Sequence, residues 1–137
     1  MRSANTDPRA PSGNTGVQSD ARQVYSASLG TEHTTDYRTT FFKAYPDLKG
    51  KVIVHHAIPQ RALIQYPNAL TESELHSLEN LRGIPKGANS ELHLSTIVKE
   101  WNEFYRMHST ATKEQLLQKA SEIDLKFGAQ FTPPKGG

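Results

Sequence analysis

Apolar residues in the last third of the chain recur at the three- and four-residue spacing of helices that bury one face. One helix is predicted over residues 89–107, and its apolar positions are Leu94, Ile97, Val98, Trp101, Phe104 and Tyr105. Another is predicted to begin at Thr112, where Gln115 completes a capping box, and to end at Gly128. The C-terminal part of the chain is therefore predicted to be helical.

The middle of the chain alternates short apolar runs with turn residues, and this pattern predicts smaller elements. A helix rich in aromatic residues is predicted from about residue 36 until Pro46 stops it. Residues 51–55 are predicted to form a strand, and residues 78–85 a second, brief strand. Between them, a Thr-x-x-Glu capping box predicts a short helix over residues 71–77. This order of elements predicts an α+β domain with a minimal sheet.

Hydrophobic residues make up only 35% of the 137 residues, and the deficit is concentrated at the beginning of the chain. Residues 1–30 consist largely of Ser, Asn, Thr, Gly, Pro and Ala. Such a segment buries too little apolar surface to offset the entropy lost on ordering. We therefore expect a flexible leader over residues 1–30, one folded domain over 31–131 and a flexible tail over 132–137.

Composition excludes several classes of site and gives only weak information on partners. The chain has no cysteine, which excludes disulfides and thiolate zinc sites, so a metal would be held by His, Asn, Asp or Glu. No apolar run reaches membrane-spanning length, and no signal-peptide core is present at the N-terminus, so no membrane partner is expected. The net charge of +2 permits a nucleic-acid partner without arguing for one.

The first predicted strand ends in a pair of histidines. Three β-branched residues, 52–54, lead into His55 and His56, and Pro59 stops the run. Consecutive strand residues point to opposite faces, so the two imidazoles are expected to do different jobs. One could bind a metal ion while the other accepts a proton.

The remaining elements offer partners for this pair. Asn89 and His93 are four residues apart at the start of a predicted helix, so their side chains can converge on one point. If the strand packs on that helix, His55 and His93 could share a cation. Asn80, expected on the second strand, could fix the orientation of His56 through its carbonyl oxygen, which would decide the ring nitrogen that accepts a proton. A base beside a cation is an arrangement suited to phosphodiester hydrolysis.

These residues, in this order, resemble the HNH or ββα-metal nuclease motif. The matching segments are Val-His55-His56-Ala-Ile-Pro, Glu-Asn80-Leu-Arg82 and Asn89-x-x-x-His93. The resemblance is closest to colicin-type DNase domains, and it implies a ββα-metal core of a two-stranded hairpin and a helix, with additional flanking helices. It also implies that His55 and His93 bind the metal, His56 is the general base and Asn80 holds the base.

At Asn89 the sequence departs from the family, which commonly has a histidine there. An amide oxygen could still be a ligand and would favour a hard ion such as Mg²⁺ over Zn²⁺ or Ni²⁺, with Mn²⁺ also possible, although the residue could equally be only the helix cap. Under the nuclease interpretation, Arg61, Arg82 and Lys86 are candidate phosphate contacts. His76 is expected to be solvated.

The chain from about Val54 to Phe131 is also similar to the C-terminal toxin domains of Rhs and related polymorphic toxins. The similarity implies a secreted effector, delivered by a carrier protein into the cytoplasm of a competing cell, that cuts DNA or RNA. A cognate immunity protein would protect the producer.

Two other functions are compatible with the same residues. One is a metal-independent ribonuclease toxin that uses His56 and His93 as base and acid. The other is a non-enzymatic module in which the histidines hold a structural ion or a partner, or simply pack.

Overall fold

The structure, a computed structural model, describes residues 25–136. Its only sheet in that range is an antiparallel hairpin of β1 (Val52–His56) and β2 (Leu81–Pro85), in which His55 pairs with Arg82 and His56 with Leu81. The α-helices are α1 (Tyr37–Ala44), α2 (Arg61–Gln65), α3 (Glu72–Leu75), α4 (Val98–Met107) and α5 (Lys113–Phe127). The predicted α+β fold, a small hairpin with surrounding helices, is confirmed.

The predicted caps explain where three of the helices begin. Asp36 accepts a hydrogen bond from the backbone N–H of Thr39 at the start of α1. Thr71 opens α3 and Thr112 opens α5, each with a complete capping box. In each box the threonine and the third helical residue satisfy one another's backbone N–H groups, which would otherwise lack a partner.

The second strand is shorter than predicted. Residues 78–80 form a 3₁₀ turn, Leu78–Asn80, and β2 begins only at Leu81. Asn80 therefore lies before the strand and not on it. Gly83, in the middle of β2, leaves room for the carbonyl of Thr132 and the ring of Phe41, both of which a Cβ atom there would strike.

The predicted helix over residues 89–107 is two helices in succession. Asn89–Ile97 is a π-helix and only the remainder, α4, is α-helical. The wider turn is seen at the junction, where the backbone N–H of Val98 bonds to the carbonyl of His93, five residues earlier. A π-helical segment is uncommon and frequently lies at a functional site. Here it carries both helical residues of the predicted site.

Two hydrophobic clusters lie on opposite sides of the hairpin. The larger contains the apolar faces of α4 and α5, with Trp101, Leu116 and Ile123 among its buried residues. The smaller is made of Phe41, Val52, Val54 and Leu81. The hairpin is thus sandwiched between α1 and the C-terminal helices.

Both ends of the described range make contacts with the folded domain. Ala27 is buried and Gly30 donates a backbone hydrogen bond to the hydroxyl of Ser77, so the packed domain begins before residue 31. At the other end, Thr132 bonds to the carbonyl of Gly83. Residues 1–24 and 137 of the predicted leader and tail lie outside the described range.

Candidate functional site

The end of β1 presents His55 and His56 to opposite sides of the hairpin. Val52 and Val54 are buried in the smaller cluster, and alternation places His56 on that same face. His55 faces the π-helix instead, while His56 faces α1 and the segment after α3. The separation of the two imidazoles expected from the strand pattern is therefore present.

On the first face, His55, Asn89 and His93 lie together. Nε2 of His55 is 2.7 Å from Oδ1 of Asn89. The rings of His55 and His93 are stacked, with centroids 3.7 Å apart and planes at 22°. The sequence predicted this convergence, whereas the role of the three residues as metal ligands stays a prediction.

Burial keeps both of these imidazoles neutral. It is the main cause that lowers the pKa of His55 to about 4, and a positive charge on neighbouring His93 would lower it further. The hydrogen bond with Asn89 acts in the opposite direction. Burial also lowers the pKa of His93. Neutral imidazole is the form that binds a metal ion, so neither ring needs to lose a proton at pH 7 to do so.

On the second face, His56 contacts His76 and Tyr37. Nε2 of His56 is 3.1 Å from Nδ1 of His76. The edge of the Tyr37 ring meets the His56 ring with centroids 4.3 Å apart. Burial is the first cause that lowers the pKa of His56 to about 3, followed by the neighbouring charges of His76, His55 and Arg38.

His76 is buried, with 5% of its surface exposed, so the expectation of a solvated side chain is wrong. It caps the C-terminal end of α3, and its ring is nearly parallel to that of Tyr37 at a centroid distance of 5.7 Å. The local signal in the sequence was its position four residues before Asn80, at the end of the helix that the capping box opens.

Asn80 is 1% exposed, and its side-chain hydrogen bonds go to backbone groups and not to the ring of His56. Its Oδ1 accepts from the N–H of Ile58, and its Nδ2 donates to the carbonyls of Ile58 and Leu75. Its backbone carbonyl accepts from Ala57. Asn80 thus fixes the backbone that directly follows His56, and the expected hydrogen bond to the imidazole is not there.

Arg82 is not available to a phosphate group, contrary to the prediction. It is 3% exposed, and its Nε and Nη2 donate to the two carboxylate oxygens of Asp124 at 3.0 and 2.7 Å. Its Nη1 donates to the carbonyls of Glu79 and Leu81, and the Tyr25 hydroxyl donates to Asp124. This set of residues forms a closed, buried network.

The exposed cations that are candidates to contact phosphate differ in part from those predicted. Lys86, between β2 and the π-helix, and Arg61, over the ring of Tyr105, are both exposed. Arg38 was missed. It is exposed, its guanidinium lies 4.8 Å from the centre of the Tyr37 ring, and its charge lowers the pKa of both His55 and His56.

The side chains that lie together on the first face are two imidazoles and one amide, which are all groups that can bind a divalent ion. Residues 25–136 contain no cluster of three or more His, Cys, Asp or Glu side chains, so the set is two imidazoles and one amide oxygen. The 2.7 Å contact between Nε2 of His55 and Oδ1 of Asn89 is a hydrogen bond donated by the imidazole, so it would have to open before both atoms could bind one ion. Three neutral protein ligands would leave positions for water or a substrate oxygen.

No protein-family model, curated protein or solved structure matches this chain. Among the helices of the described range, none combines the length and the apolar character needed to cross a membrane. The site must therefore be interpreted from its own geometry and from the motif in the sequence.

Proposed function

We propose that this protein is a metal-dependent endonuclease of the HNH class, which hydrolyses phosphodiester bonds with DNA as its preferred substrate. The observation that carries the proposal is that the two imidazoles at the end of β1 lie on opposite faces of the hairpin. His55 lies beside Asn89 and His93 of the π-helix, and His56 lies on the other face with a lowered pKa.

His55, His93 and Asn89 are the residues that would hold the ion. When bound, a divalent ion there would polarise a phosphoryl oxygen and stabilise the charge that develops on the leaving oxygen. Asn89 supplies an amide oxygen, which suits Mg²⁺ and Mn²⁺, whereas two imidazoles suit Zn²⁺ or Ni²⁺. We retain Mg²⁺ as the proposed ion and include the other three in the test.

His56 is the general base in this proposal. A base must have an imidazole nitrogen without a hydrogen. Burial lowers the pKa of His56 to about 3, which keeps the ring neutral but also makes it a weaker base than a free histidine. Its Nε2 is engaged with His76, and no hydrogen bond among the described residues uses its Nδ1. Nδ1 is therefore the atom that would take the proton from the attacking water.

The substrate backbone is proposed to contact exposed cations around the two histidines. Arg38 replaces Arg82 among these cations. Its charge acts on both His55 and His56. The guanidinium of Arg82 is instead paired with the carboxylate of Asp124. Lys86 and Arg61 remain candidates because both side chains are exposed. Phosphate contacts of this kind would make binding weaken steeply with salt.

The biological setting is proposed from the resemblance of the motif alone. It is that of a toxin domain of the Rhs or polymorphic type, delivered by a carrier into the cytoplasm of a target cell and blocked by a cognate immunity protein. Nucleolysis by the isolated chain is the first requirement of that setting.

A cleavage assay tests the function. The purified chain is incubated with supercoiled plasmid and with RNA, with each of the four ions and with chelator, beside His56→Ala. We expect plasmid nicking that needs the ion and is lost in the variant. Activity that survives chelator, on RNA, would favour the metal-independent ribonuclease instead. No cleavage of either nucleic acid would sink the nuclease proposal and leave the binding module.

A further inference from the structure

The geometry points to His76 as a positioning residue that fixes the tautomer of His56, with Nε2 of His56 donating a hydrogen bond to Nδ1 of His76. This inference rests on the proposed function, since it concerns the base of that reaction. It assigns a role to a buried residue outside the motif, and it replaces the contact that the sequence had led us to expect from Asn80.

The hydrogen bond between the two rings must have a direction. When both rings are neutral, one ring nitrogen carries the hydrogen and the other accepts it. If His56 accepted at Nε2, its own hydrogen would be on Nδ1 and neither nitrogen could take a proton from water. If His56 donates from Nε2, its Nδ1 keeps a free lone pair. Only the second direction leaves a base.

The residues around His76 hold its ring in a position where Nδ1 can accept a hydrogen bond from His56. Its backbone N–H closes the end of α3 on the carbonyl of Glu72, and the neighbouring carbonyl of Leu75 is bonded to the side chain of Asn80. The parallel ring of Tyr37 covers one side of the imidazole. With Nδ1 turned to His56, the hydrogen of His76 is on Nε2, and the ring lines a cavity of about 260 Å³ that it shares with Glu32 and Glu72.

Tyr37 restrains both partners. Its ring meets that of His56 at 62°, with centroids 4.3 Å apart, and is within 7° of parallel to that of His76. Two rings that pack against one aromatic side chain have little freedom to rotate, so the 3.1 Å contact between their nitrogens is held by packing as well as by the hydrogen bond.

Nitrogen NMR of the metal-free chain at pH 7 tests the tautomer directly. Long-range proton–nitrogen spectra distinguish a protonated ring nitrogen from a bare one. We expect His56 to have hydrogen on Nε2 and none on Nδ1. Hydrogen on Nδ1, or two averaged nitrogens, would overturn the inference. The spectrum requires neither a variant nor catalytic activity. Its result is therefore independent of whether the chain cuts nucleic acid.

Two substitutions then separate positioning from packing. His76→Phe keeps an aromatic ring against Tyr37 but has no hydrogen-bond acceptor. His76→Asn places its Oδ1 near the position of Nδ1 and can accept the hydrogen bond from His56. We expect His76→Phe to average the two nitrogens of His56 and to lower kcat by about 10–100-fold with little change in KM. His76→Asn is expected to keep the tautomer and to remain within a few-fold of the wild type.

His108→Phe is the matched control, because His108 is also stacked on an aromatic ring, that of Phe104, but lies away from His56. It should leave the His56 nitrogens and kcat unchanged. Equal losses in His76→Phe and His76→Asn, with the His56 tautomer unmoved, would show that His76 only packs and would contradict the inference.

Discussion

Arg82 and His55 are paired across the hairpin, and each belongs to a polar group of residues. The two groups differ in the charge of their members and in how completely their hydrogen bonds are satisfied. Arg82 belongs to a charged network in which both carboxylate oxygens of Asp124 and two backbone carbonyls receive its hydrogen bonds. His55, its partner across the hairpin, belongs to a cluster of neutral groups in which its Nε2 donates a hydrogen bond to Oδ1 of Asn89 and its ring stacks on that of His93. We call the first the ion-pair network and the second, with His56, the histidine cluster.

The difference separates stability from chemistry. A buried charge is tolerated only when its partners are complete, and a complete set has nothing left to offer a ligand. A neutral imidazole nitrogen without a hydrogen-bond partner costs less free energy than an unpaired buried charge. Such a nitrogen is the group that can bind a metal ion or accept a proton from an attacking water. The most charged residue of the motif is therefore structural, and the uncharged ones carry the proposed reaction.

The largest expected effect on stability comes from breaking the ion-pair network. Asp124→Ala would strand the Arg82 guanidinium in the interior and remove the acceptor of the Tyr25 hydroxyl, so we expect the free energy of unfolding to fall by about 3–5 kcal/mol. Urea denaturation measures it. Glu103→Ala, which breaks the exposed pair with Arg106, is the control and should cost less than about 1 kcal/mol. Equal losses in the two variants would contradict the comparison.

Asn80→Ala is expected to lower the free energy of unfolding by about 2–3 kcal/mol, because it strips partners from buried backbone groups of Ile58 and Leu75. The exposed Asn102 offers a control, for which the change to Ala should be nearly neutral. Asn80 would then support the histidine cluster through the backbone after His56. A variant as stable as the wild type but inactive would instead restore the direct catalytic role first expected for Asn80.

The histidine cluster can be sharpened at the position where it departs from the HNH pattern. Asn89→His replaces an amide oxygen beside His55 by an imidazole, so we expect Zn²⁺ or Ni²⁺ to bind about tenfold more tightly in calorimetric titrations. Ser95→His places a histidine on an exposed position of the same π-helix as the control. A similar gain in that control would mean that Asn89 does not face the ion.

A change remote from the histidine cluster should affect stability alone and by the smallest amount. Thr112→Ala removes the capping box of α5 and is expected to cost about 1 kcal/mol, while Thr112→Ser should keep most of it. Neither variant should alter metal affinity or cleavage. If metal affinity fell together with stability, the histidine cluster would depend on global packing and would not be a separable site.

Local patterns predicted much of this molecule. The capping boxes at Thr71 and Thr112 predicted two helix starts, and strand alternation predicted that His55 and His56 lie on opposite faces of the hairpin. These are short-range rules, in which each residue's place depends on its near neighbours in the chain.

The parts that could not be predicted depend on contacts between distant segments. The partner of Arg82 is 42 positions away, and only the fold decides that it is Asp124 and not a phosphate. One local signal was available: Asp124 follows Ile123 on the buried stripe of α5, where an acidic residue requires a partner. The π-helical turn at Asn89–Ile97 has no comparable signal in the apolar spacing.

The division of work between the two imidazoles of β1 is the central claim, and one paired measurement tests it most directly. Metal affinity and plasmid cleavage are measured side by side for His55→Ala and His56→Ala. The account predicts that His55→Ala loses both, whereas His56→Ala binds the ion as the wild type does and loses cleavage by about 10²–10⁴-fold. Equal loss of metal binding in the two variants, or cleavage by His56→Ala at the wild-type rate, would contradict it.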